Sequence, residues 1–64
     1  MPICRRIIDC ETKEVLFQGF FKGENEYETP IELNPMKKYE IIWMHTWIYG
    51  DGTFAGSTDI PTII

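Results

Sequence analysis

Positive charge is scarce in this chain. Ten acidic residues outnumber six Lys and Arg, for a formal net charge of −4. Only Arg5-Arg6 and Lys37-Lys38 cluster, each as a pair. A protein that binds nucleic acid without reading its sequence shows a basic stripe, because phosphate neutralisation supplies most of the affinity. Nucleic acid is therefore not expected as a partner. Histidine is scarcer still, with His45 alone, and there are two cysteines, Cys4 and Cys10. Those three lack the close spacing of zinc ligands, so neither a metal nor a cofactor is expected. Six residues of strand between the cysteines span about 20 Å, beyond the reach of a disulfide, so both read as free thiols.

Long apolar runs are missing too. Nothing approaches the ~20 residues of a membrane-spanning helix. The opening Met-Pro-Ile-Cys-Arg-Arg has neither the apolar stretch nor the cleavage site of a secretory leader. Neither asparagine begins a glycosylation sequon, since Asn25 precedes Glu-Tyr and Asn34 precedes Pro-Met. With unpaired cysteines, these absences point to the cytoplasm and to no membrane contact.

Catalytic chemistry is equally thin. Gly50, Gly52 and Gly56 precede Ser57-Thr58, but the spacing is not that of a phosphate-binding loop and no lysine or helix follows. They read instead as a hairpin turn and one glycine beneath an aromatic. A two-residue Asp51-Gly52 loop pairs Tyr49 with Phe54, Trp47 with Gly56 and His45 with Thr58. Ser57 then falls on the face opposite His45, and no Ser-His dyad forms. Glu24, Glu26, Glu28 and Glu32 lack the ligand series of a calcium loop and read as a solvated segment. No catalytic residue is expected, and the chain is read as not an enzyme.

What remains is strand. Helical periodicity is absent, and Gly, Pro, Asn and Asp fall between β-branched and aromatic runs. Ile3–Asp9 and Glu14–Lys22 form a hairpin across Cys10-Glu11-Thr12-Lys13, with Gly19 marking a bulge or bend. Glu14-Val15-Leu16-Phe17-Gln18-Gly19 resembles a picornaviral protease cleavage sequence, but Phe20 stands where proline is usual and the strand pattern continues through it. Pro30–Leu33 reads as a short edge strand. Tyr39–Tyr49 is the longest strand, and Asp51-Gly52 is the strongest turn signal. Phe54–Ser57 returns, Thr58-Asp59-Ile60 reads as a turn, and Pro61–Ile64 as a last strand. A chain of 64 residues with five short strands fits a small, partly open barrel better than a sandwich.

The sequence of a long strand, Asp51-Gly52-Thr53-Phe54, a short strand, Thr58-Asp59-Ile60 and a closing apolar strand resembles the last three strands of an SH3-like barrel. Ile7-Ile8-Asp9-Cys10-Glu11-Thr12-Lys13-Glu14-Val15-Leu16-Phe17-Gln18-Gly19-Phe20-Phe21 resembles the start of small proteins of Gram-positive phages and mobile elements. The resemblance implies an all-β, five-stranded SH3-like barrel, a viral protein in its host's cytoplasm, and a role in host takeover or counter-defence. In this chain Trp43, Met44, Trp47 and Ile48 occupy positions where such proteins tend to be polar.

That long strand is apolar on both faces. Tyr39, Ile41, Trp43, His45, Trp47 and Tyr49 share one side and are assigned to the core near the Asp-Gly turn. Ile42, Met44 and Ile48, with Ala55, are left as an exposed patch, and such patches mark interfaces. The reading is a non-enzymatic module binding a protein partner or its own copy as a homodimer. Its binding residues are Ile42, Met44 and Ile48, with Trp43 and Trp47 on the alternative face. The alternative function is an oligomer holding a small nucleotide at a subunit junction, with Arg5 and Arg6 on its phosphate.

Overall fold

A computed structural model describes residues 2–64. Four strands run β1 (Ile3–Asp9), β2 (Val15–Phe21), β3 (Tyr39–Ile48) and β4 (Phe54–Ile63). They form one antiparallel sheet in the order β2-β1-β3-β4. The all-β class is as expected from the runs of β-branched and aromatic residues. The five-stranded barrel is not what these residues build: the sheet is open, with β2 and β4 as its two edges.

Two segments account for the difference. Thr58-Asp59-Ile60 is not a turn but lies inside β4, paired with His45, Met44 and Trp43. Pro61 does not interrupt that strand, for a reason found in the ladder. Ile64 exchanges both backbone hydrogen bonds with Tyr39, at 3.0 and 2.9 Å. Antiparallel pairs alternate, so Thr62, Ile60 and Thr58 also bond toward β3, while Ile63, Pro61 and Asp59 turn their backbone groups outward. Proline's missing N–H therefore falls on the free edge, where it costs the ladder nothing. The second segment is Pro30–Leu33, which pairs with no strand. Its alternation is real, but Ile31 and Leu33 use it to pack side chains onto the core.

The core lies on one face only. Cys4, Ile7, Tyr39, Ile41 and Trp43 are buried there, with Phe17, Phe21, Ile31 and Leu33 packed around them. The segment between β2 and β3 crosses this face. Tyr27 sets its ring edge-on to Trp43 at 5.1 Å, and the Asn34 amide donates to the Tyr39 hydroxyl at 3.0 Å. Burial concentrates at the Tyr39 end of β3, away from the Asp-Gly turn: Trp43 is 4 % exposed but Trp47 is 52 %. The expected core near the turn is thus displaced by half the strand, because the covering segment reaches only as far as Trp43 and His45.

Cys4 and Ile7 are both fully buried although they are three residues apart. A regular strand would send them to opposite faces. Between them β1 carries an extra residue against β3, since Cys4 stands opposite Trp43 and Arg6 opposite the next residue, Ile42. This bulge returns Ile7 to the core and turns Arg5 and Arg6 together toward the outer face.

Candidate functional site

The outer face of the sheet is uncovered among the described residues. Facing pairs across it are Ile3–Met44, Arg6–Ile42, Met44–Asp59 and Ile42–Pro61, with Gln18 beside Arg6 on the β2 side. Arg5 forms an ion pair with Asp59 and sets its guanidinium 5.3 Å from the centre of the Phe20 ring. Both partners of that ion pair are well exposed, so it orients Arg5 more than it stabilises the fold. Arg6 makes no ion pair among the described residues. Together Arg5, Arg6, Gln18, Phe20, Ile42 and Asp59 border a concavity of about 430 Å³.

The sequence-derived candidates divide across this geometry. Ile42 and Met44 lie on the outer face half-buried, and Ile48 is exposed beyond them. Arg5 and Arg6 are brought together on the same face, which a period-two reading of β1 would not allow. Trp43 is a core side chain on the face opposite Ile42 and Met44. Trp47 lies on the core side of β3 but past the covered region, at the end of the hairpin with Ile48, Tyr49 and Phe54, all exposed. Phe20 and Asp59 belong to the site and were not anticipated. Phe20 could have been found from its outward parity in β2, whereas Asp59 was hidden by reading its segment as a turn.

The hairpin itself is wider than a two-residue loop. Tyr49 N–H donates to Thr53 O at 2.8 Å and Gly52 N–H to Tyr49 O at 2.9 Å. Gly50, Asp51 and Gly52 form the loop, with Gly52 at φ +89°. The pairs Trp47–Gly56 and His45–Thr58 stand as expected, and Phe54 faces Ile48 rather than Tyr49. Ser57 faces Thr46, on the side away from His45, so the hairpin builds no Ser-His dyad. His45 instead sits on the core side with its ring centre 6.1 Å from that of Tyr27.

Cys4 and Asp9 are perturbed for structural reasons. Burial pushes the Cys4 thiol up. The Lys37 ammonium, together with the Glu11 amide, holds the Asp9 carboxyl below the usual aspartate range. Both cysteines are free thiols. Among the described residues no three His, Cys, Asp or Glu side chains converge as metal ligands, and no helix is long and apolar enough to cross a membrane.

No family model, curated protein or solved structure matches this chain.

Proposed function

We propose that this chain is a non-enzymatic binding module whose protein partner docks on the outer face of the sheet, around Ile42, Met44 and Ile48. One observation carries the reading. β3 is apolar on both faces, yet the described residues cover only one of them. An apolar sheet face bordered by Arg5, Arg6 and Asp59 has the make-up of an interface, an apolar centre with a charged rim. The resemblance to proteins of Gram-positive phages and mobile elements makes a host protein, met in the host cytoplasm, the partner we put forward.

Affinity capture from the cells that make the chain, with wild type beside Met44→Glu and Ile48→Lys, tests this. Neither residue is in the core, so both variants are expected to keep the wild-type β spectrum and to lose the partner. A partner retained by both variants, or a loss of the β spectrum in both, would overturn the assignment of this face.

The second reading is favoured by the concavity. An exposed aromatic ring, Phe20, and Arg6, which makes no ion pair among the described residues, border the same concavity and suit a small phosphorylated, stacking ligand. Titration with adenosine monophosphate, followed by amide chemical shifts, would support it through saturable changes confined to Arg6, Gln18 and Phe20.

A further inference from the structure

The two edges of the sheet differ in a way that bears on self-association. An unpaired strand edge is a template for another chain, and proteins guard such edges with proline, with charge or by covering them. The β4 edge is guarded: Pro61 removes an outward donor and Asp59 places a charge beside it. The β2 edge is not. Val15-Leu16-Phe17-Gln18-Gly19-Phe20-Phe21 holds no charge and no proline, and Val15, Leu16 and Phe20 are 48, 37 and 69 % exposed.

We propose that the β2 edge is the interface of a homodimer, in which β2 pairs antiparallel with β2 of a second copy about a two-fold axis at Gln18. The sequence is complementary to itself about that residue. Antiparallel pairing centred there sets Leu16 opposite Phe20 of the other copy. It also sets Glu14, just before the strand, opposite Lys22, just after it, and does so twice by symmetry. Opposite charges facing each other across strands stabilise a sheet and like charges weaken it. Because the β4 edge is guarded, growth stops at two copies, giving a closed two-fold dimer with one continuous eight-stranded sheet rather than a filament. The pairing shares Gln18 and Phe20 with the border of the outer face but leaves Ile42, Met44 and Ile48, proposed for the protein partner, open on both copies.

Charge reversal tests the register. In one chain Glu14 and Lys22 stand at opposite ends of β2, roughly 26 Å apart at strand rise, so they have no contact with each other. Sedimentation velocity over a concentration series should show a wild-type dimer. Glu14→Lys and Lys22→Glu should each weaken it about tenfold, since two attractive pairs become two repulsive ones. The double reversal should restore wild-type affinity, which a merely local effect of either residue would not do. Oxidation of Gln18→Cys in a Cys10→Ser background should yield a covalent dimer, and Ser57→Cys on the β4 edge should not. A monomer at every soluble concentration, no recovery in the double reversal, or cross-linking through Ser57→Cys in place of Gln18→Cys would overturn the proposal. A dimer insensitive to the edge variants but dissociated by Met44→Glu would also overturn it, while leaving the outer face as a contact surface.

Discussion

The Lys37 ammonium donates to the Asp9 carboxylate at 2.9 Å across 28 positions of sequence. The same carboxylate accepts from the Glu11 and Thr12 amides at 2.8 and 3.3 Å. Asp9 therefore fastens the turn after β1 to the end of the segment that covers the core, and its own side chain is only 5 % exposed.

Acid should release this fastening. Asp9 is held below its ordinary value near 3.8 in the folded chain, so the unfolded chain takes up a proton first as pH falls. The contribution is fully present above that ordinary value and is lost as pH drops through the lower folded one. The melting temperature of wild type should exceed that of Asp9→Asn at neutral pH, and the gap should close on acidification. A gap unchanged at low pH would remove Asp9 as its source.

The two loop glycines should respond differently to side chains. Gly52 sits at φ +89° and Gly50 does not have a positive φ, while an added Cβ meets nothing within 4 Å at either. The cost is thus purely of backbone conformation. Gly52→Val should lose about 1–2 kcal/mol, and Gly50→Ala should stay near neutral or gain slightly. Denaturant melts of the two variants check the contrast.

Trp47 lies over Gly56 on the neighbouring strand. A Cβ on Gly56 would come within 2.8 Å of Trp47 Cζ2, so Gly56→Ala should push the half-exposed indole off the strand. Its fluorescence should shift to the red while Trp43 keeps its buried emission. In a Trp47→Ala background the same alanine should be neutral or stabilising, and a double-mutant cycle would read the coupling.

Thiol chemistry separates the two cysteines. Cys4 is fully buried with its thiol pushed up by burial, and Cys10 is partly accessible. One thiol per chain should react in the native protein and a second only on unfolding, because the thiolate is the reactive form. Equal rates for both would mean that β1 opens locally.

Strand content and turn chemistry were legible because both are local. The first two strands and β3 follow from β-branched and aromatic runs bounded by turn residues, and Gly52 from the Asp-Gly signal. What escaped depends on partners. Pro61 looks like a strand stop until the outward turn of its nitrogen is known. Pro30–Leu33 alternates as a strand does, yet only its side chains are used. The bulge in β1 left a single trace, the three-residue spacing of Cys4 and Ile7 around two arginines, and without it Arg5 and Arg6 read as facing apart. Trp43 and Trp47 share one face of one strand, and only the reach of the covering segment makes one core and the other surface.

The sheet narrows toward its hairpin. β1 follows β3 only as far as Met44, opposite Ile3, so beyond that point β3 and β4 continue as two strands with no third strand beside them among the described residues. The molecule is 43 Å long but only 20 by 17 Å across, and this ribbon forms one end of its length. Two strands alone are marginally stable in water, so amide hydrogens of Trp47 and Gly56 should exchange by fraying, long before those of Ile7 and Ile41 exchange by global unfolding. The exposed Trp47, Ile48, Tyr49 and Phe54 ride on that arm, which can change its pitch and twist while the core beneath Ile41 stays closed.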